Sequence, residues 1–238
     1  MVFICCSVNL SAQSNRIFGS QNYTRINPEE FNKVITGSIL YLDAANPSSY
    51  AGTGTSWNDL SGNANHMTIP SSLASSYTST NSGSFLFSQS SSNTIAKNTL
   101  NNFSLAGNAI TVEVWVKRVA TADYQFWFSD ASAQYRFGTT NTGNLFWNMG
   151  SRADRSTTSY TVPTGVWKHI VVTGGIESGY VVLRYYADGV LVHSNNEGIT
   201  TLPNISSLFI GSGENSSVYL LKGNLAVCRV YAKALTLA

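Results

Sequence analysis

The sequence predicts an all-β protein, a sandwich or barrel of roughly ten or more short strands. Three observations carry this. Charged residues make up only 11% of the 238 and hydrophobic residues an ordinary 43%, with Ser, Thr, Asn and Gly filling the difference. That profile excludes coiled coils and helical bundles, and the abundance of Val, Ile, Phe, Tyr and Trp excludes a disordered chain. Short runs rich in β-branched and aromatic residues recur from Gly37 to the end, divided by Gly, Asn, Asp and Ser. No helical period of about ten or more residues intervenes, which rules out alternating strands and helices.

Residues 1–36 read as an N-terminal arm. Asn, Gln and Ser alternate there with Ile17, Phe18, Tyr23 and Ile26, and a helical turn is expected at Pro28-Glu29-Glu30-Phe31. A segment that short cannot enclose a core, so its apolar residues are expected to pack on the body or on another chain. Residues 37–238 form the domain. Strands are expected at Ser38 to Leu42, Ser84 to Phe87, Ile110 to Lys117, Tyr124 to Phe128, Gln134 to Phe137 and Leu145 to Asn148. The series continues with Trp167 to Thr173, Tyr180 to Ala187, Val190 to His193, Leu208 to Ile210 and Asn224 to Tyr231. Asp188-Gly189 between two of these runs predicts a type I′ hairpin, which needs positive φ at both centres. Trp115 and Trp167 are expected in the core, on central strands of two different sheets.

Fourteen basic and twelve acidic residues leave a net charge of +2, too little field to draw the chain onto nucleic acid or an anionic membrane. No stretch approaches the roughly 18 apolar residues of a membrane span. The start, Met1-Val2-Phe3-Ile4-Cys5-Cys6, lacks a basic region and reads as mature chain. Cys5 and Cys6 are adjacent and Cys228 is distant, so no disulfide framework or paired-cysteine metal motif can be written, and inert thiols are expected.

Motifs for catalysis are absent. A glycosidase needs two carboxylates converging on one bond, yet the six Asp and six Glu are scattered. Glu113 alternates with Trp115 and Lys117 and reads as half of a cross-strand ion pair. There is no G-x-S-x-G, P-loop or H-E-x-x-H, and His66, His169 and His193 lack ligand spacing for zinc. The domain is therefore expected to be non-enzymatic. Aromatic residues remain as candidates for recognition, since sugars stack on exposed rings while amides take their hydroxyls. Trp127, off-phase with Tyr124, Phe126 and Phe128, and Trp147 with Asn148 are the candidates, against the alternative that every tryptophan fills the core.

Several stretches then coincide in order: Leu40-Tyr41-Leu42-Asp43-Ala44-Ala45-Asn46-Pro47, Trp57-Asn58-Asp59-Leu60-Ser61-Gly62-Asn63, Glu113-Val114-Trp115-Val116-Lys117, Trp167-Lys168-His169-Ile170-Val171, Tyr186-Ala187-Asp188-Gly189 and Gly223-Asn224-Leu225-Ala226-Val227-Cys228-Arg229-Val230-Tyr231. Together they resemble the concanavalin A-like, laminin-G-like jelly-roll modules. The resemblance covers residues 37 to 236 and implies an antiparallel β-sandwich jelly roll. It also implies a calcium site at Asp43, Asp59 and Asn63, weakened by Ala226 where many members carry Asp. The alternative is a loop held by Asp59 accepting backbone N–H bonds. No other cofactor is expected.

In style the opening and closing stretches are similar to copies in bacteriophages and large DNA viruses. That implies a virion structural protein, on capsid or tail, assembling with other virion proteins or copies of itself and touching host surface glycans. The alternative is a carbohydrate-binding module of a secreted or cell-surface protein.

Overall fold

The computed structural model describes residues 37–80, 83–97, 99–105, 108–132, 134–149, 155–213 and 218–235, with the backbone alone at 96–97 and 155–159. The arm expected at residues 1–36, with Cys5 and Cys6, lies outside them.

Two eight-stranded antiparallel sheets make up the domain. The first contains β1 (Ser38–Asp43), β4 (Tyr77–Thr78), β5 (Ser84–Ser88), β7 (Ala109–Arg118), β12 (Lys168–Glu177), β13 (Tyr180–Ala187), β14 (Val190–Asn196) and β16 (Lys222–Tyr231). Its order is β14-β13-β12-β7-β16-β5-β4, and β1 also pairs with β16. The second contains β2 (Ser56–Trp57), β3 (Met67–Thr68), β6 (Ile95–Lys97), β8 (Gln125–Ser129), β9 (Tyr135–Thr139), β10 (Asn144–Met149), β11 (Arg155–Thr161) and β15 (Leu208–Ile210). Its order is β11-β10-β9-β8-β15-β6-β3-β2. One helical turn, α1 (Ser71–Ala74), seats the buried Leu73.

Side-chain alternation builds the interior. On β7, Ile110, Val112, Val114 and Val116 join Ile170 and Val172 of β12 and Cys228 and Val230 of β16 in one core, with Trp127, Phe137, Trp147 and Tyr135 of the second sheet. The aromatic rings interlock edge to face, Trp127 with Phe137 at 5.2 Å and Tyr135 with Trp147 at 5.8 Å between centroids. Burial holds the Cys228 thiol protonated, its pKa pushed up to about 12, so this cysteine is the inert apolar residue expected.

The expected strands are all present. Asp188 and Gly189 have φ of 49° and 80°, as the type I′ turn requires. The short strands β2, β3, β4 and β6 and the polar edge strand β11 were not expected, because runs of two or three residues, or a run like Arg155-Ser156-Thr157-Thr158-Ser159, carry no apolar alternation.

The placement of two tryptophans is corrected. Trp115 lies on β7 and Trp167 immediately precedes β12, so both belong to the first sheet. They form a small cluster with Ala226 and Val227, separate from the main core, and Trp167 is only partly buried. The reason is register: Trp115 shares its side of β7 with Glu113 and Lys117, while the alternate valines take the interior.

Candidate functional site

On the second sheet, the face opposite the core carries an aromatic group built around a missing side chain. Gly138 on β9 stands between Phe126 on β8 and Phe146 on β10. A Cβ at Gly138 would lie 1.8 Å from the Gln125 carbonyl oxygen, so only glycine fits. Over that gap the two phenylalanine rings stack at 5.4 Å with planes 6° apart. Two tyrosines rim the stack. Tyr124 meets Phe146 edge-on at 5.5 Å, Tyr219 lies 4.9 Å from Phe126, and the two tyrosine rings are 5.7 Å apart. The phenylalanines are buried, whereas both tyrosines stay partly exposed.

Backbone and amide bonds fix this rim. Gln125 is buried and spans two elements: its amide donates to the Val119 carbonyl at 2.7 Å, and its carbonyl accepts the Lys222 N–H at 2.9 Å. Tyr219 is held at φ 53°, an unusual conformation for a bulky residue, and its carbonyl accepts the Phe126 N–H at 2.9 Å. Beside it, the exposed Asp123 accepts the Tyr124 N–H at 2.8 Å. Partly exposed rings bordered by polar groups and fixed at the margin of a sheet by backbone hydrogen bonds are the chemistry that takes the apolar face and the hydroxyls of a sugar.

The three recognition residues expected from the sequence lie elsewhere. Trp127 and Trp147 have 0% exposure and fill the sandwich core, so neither ring offers a face to a ligand. Asn148 shares the outer face with Phe146 but is also fully buried, opposite Arg136 on β9. The residues missed were Tyr124, Gly138 and Tyr219, of which a lone glycine inside a strand was the readable signal.

The loop expected to hold calcium is held by hydrogen bonds. One Asp59 oxygen accepts the N–H of Tyr41 at 2.8 Å and of Ser61 at 2.9 Å; the other accepts the Ser61 hydroxyl at 2.7 Å and the Asn65 N–H at 3.0 Å. Asn63 points its amide donor at the Ile39 carbonyl and the Ser61 hydroxyl. Asp43 accepts the Ala45 N–H at 2.9 Å. A cation needs several free oxygens, and both oxygens of Asp59 are occupied by donors. Among the described residues no group of three or more His, Cys, Asp or Glu could hold a metal. Asp59→Ala is expected to lower stability by about 1–3 kcal/mol through its orphaned donors. A chelator is expected to leave the wild-type melt unchanged, which thermal unfolding with and without EDTA checks.

On the first sheet, Glu113 sits opposite Arg229 of β16 and two residues out of step with His169 of β12, so all three side chains share one face. Its Oε1 accepts from Arg229 Nη1 at 3.0 Å and lies 3.0 Å from His169 Nε2, all three side chains being buried. The His169 ring stacks on Trp115 at 4.8 Å, and the Arg229 guanidinium lies over the Tyr41 ring at 4.3 Å. Burial pushes the Glu113 carboxyl up, but the Arg229 charge and the His169 hydrogen bond outweigh it and hold the group below its usual range. The ion pair expected for Glu113 is thus present.

Residues 89–238, more than half of the chain, match the model of the concanavalin A-like lectin/glucanases superfamily. The chain belongs to this superfamily. Its fold is shared by the ligand-binding domain of botulinum neurotoxin serotype D in complex with N-acetylneuraminic acid, with a TM-score of 0.63 and 19% identity. That match covers 85% of this chain and 49% of the toxin chain, so the chain spans about half of that structure's length. Domain 4 of AbnA, a GH43 extracellular arabinanase from Geobacillus stearothermophilus in complex with arabinotriose, aligns with a TM-score of 0.58 at 17% identity, over 84% of this chain and 94% of that one. Trypanosoma rangeli sialidase aligns at 0.56 and 13% identity, over 84% of this chain and 31% of its own. No curated protein matches in sequence. The likeness to these structures, at 13–19% identity, is one of fold: a concanavalin A-like β-sandwich. The structures named here include no virion protein, and the particle role implied by sequence style gains no support from them.

Proposed function

We propose that the domain is a non-catalytic carbohydrate-binding module. The observation that carries this reading is the rim of Tyr124 and Tyr219 above the Phe126–Phe146 stack. Two structural neighbours bind saccharides, N-acetylneuraminic acid in one and arabinotriose in the other. Support for the absence of catalysis comes from three of the five carboxylates buried among the described residues. Glu113 is taken up by Arg229 and His169, Asp59 by its loop, and Asp130 by the Tyr135 N–H at 2.6 Å and by Ser132. Held by these partners and buried, none of the three stands on an exposed face where a glycosidic bond could reach it.

Isothermal titration with arabinotriose, N-acetylneuraminic acid and a panel of neutral oligosaccharides tests the reading. Tyr124→Ala and Tyr219→Ala are each expected to lose about 1–2 kcal/mol of binding, roughly five- to thirtyfold in affinity, with melting unchanged. Binding of the neutral saccharides that survives both substitutions would contradict the assigned site. Robust turnover that is lost on changing one Asp or Glu would contradict the absence of catalysis.

A further inference from the structure

The first sheet carries a second row of side chains that the tyrosine rim does not involve. Lys117 of β7 lies opposite Asn224 of β16, and Asn224 lies opposite Leu86 of β5. On the other flank Lys168 pairs with Val116, which brings the preceding Trp167 beside Lys117, and the Lys117 ammonium lies 5.7 Å from the Trp167 ring centroid. The four residues thus run across four neighbouring strand positions on the face turned away from the core. Trp167 rests on Trp115, Ala226 and Val227.

The row is accessible. Trp167, Lys117 and Asn224 are partly exposed, and Leu86, Val119 and Val166 are 41–48% exposed. The other four tryptophans are at most 5% exposed. The Asn224 amide donates to the Ser84 hydroxyl at 3.3 Å, which leaves its carbonyl oxygen as an acceptor. Lys117 makes no ion pair among the described residues, and Lys222, two residues before Asn224 on the same side of β16, adds a second exposed ammonium.

We infer that this row is a second saccharide site, specific for sugars that carry a carboxylate or sulfate. The inference rests on the carbohydrate reading for its ligand class, but its residues lie on the other sheet. The sugar's apolar face stacks on Trp167, the Asn224 carbonyl accepts a hydroxyl, and the anionic group draws the Lys117 ammonium off the indole. Binding exchanges a cation–π contact for a charge-assisted hydrogen bond. A neutral sugar gains no such exchange, which is the basis of the selectivity.

Because Trp167 is the most exposed of the five tryptophans, indole fluorescence reports on the row. The experiment titrates the full chain with oligogalacturonate, with a sulfated dextran oligomer and with neutral dextran oligomer, and measures fluorescence and its quenching by iodide. A saturable change is expected with one or both anionic probes and none with the neutral one, weakening as salt is raised. The two anionic arms tell carboxylate from sulfate recognition. Trp167→Ala is expected to abolish the response, and Lys117→Gln to weaken it about tenfold. Tyr219→Ala is expected to leave it unchanged.

No saturable response to either anionic probe, or an equal response in Lys117→Gln, would overturn the inference. So would loss of the response in Tyr219→Ala, which would place the ligand on the second sheet. Failure of neutral saccharides at the tyrosine rim, with the anionic response intact here, would count against the first site alone.

Discussion

Replacing Glu113 by alanine is expected to destabilise the domain by about 3–5 kcal/mol, the cost of leaving a buried charge uncompensated. The Arg229 guanidinium is buried and donates to the Glu113 carboxylate at 3.0 Å. Removing the acceptor strands that charge beneath Tyr41 and also deprives His169 of its partner. The paired replacement Glu113→Leu with Arg229→Met is expected to recover most of the loss, since an apolar pair of similar volume carries no desolvation cost. Urea unfolding of the two variants measures both effects.

The same group makes stability depend on pH. Its carboxyl is held below the usual range in the folded state, while the unfolded chain has an ordinary glutamate of pKa about 4.3. The folded state therefore binds its proton less readily. Its contribution is fully present above the unfolded value and is lost as pH falls through the lower folded value. The stability gap between wild type and Glu113→Ala is expected to shrink in acid below about pH 4. A gap that stays constant from neutral to strongly acidic pH would contradict this account.

Trp147→Ala is expected to cost about 3–5 kcal/mol, through lost burial and the cavity left behind. The ring is fully buried between Tyr135 and Phe137, and its indole N–H has no hydrogen-bond partner among the described residues. Trp147→Phe is expected to cost less, because it removes that unpaired donor together with part of the volume. Chemical denaturation of both variants provides the check. Alanine at this position with an unchanged midpoint but lost saccharide binding would restore a surface role for Trp147.

The arrangement of strands was legible because it depends on local chemistry. Alternating valines on β7, the Asp188-Gly189 turn and the aromatic runs each point to one backbone state. The facing of the tryptophans was not legible. Strict alternation places Trp127 on the opposite side from Phe126 and Phe128, but the register shifts between Phe126 and Phe128, and Trp127 and Phe128 both enter the core. One extra residue in a strand cannot be read from composition. Alternation does put Trp167, His169 and Val171 on one side of the strand. What it lacked was the partner strand: Trp115 opposite His169 and Glu113 opposite Val171 identify that face as the outer one. The tyrosine rim was hidden for a similar reason, since Tyr124 and Tyr219 are distant in sequence and meet because the segment before β16 runs beside β8, where the Tyr219 carbonyl accepts the Phe126 N–H. Asp59 was read as either a ligand or a loop anchor, and only the donors around its two oxygens decide between them.

Chemical-shift mapping tests the central claim most directly. With the uniformly 15N-labelled protein titrated by a neutral oligosaccharide, saturable shifts are expected at the backbone amides of Tyr124, Gln125, Phe126, Gly138, Phe146 and Tyr219. Those amides lie beneath or beside the two rings. Shifts confined to other surfaces, or none with any saccharide at millimolar concentration, would contradict the account.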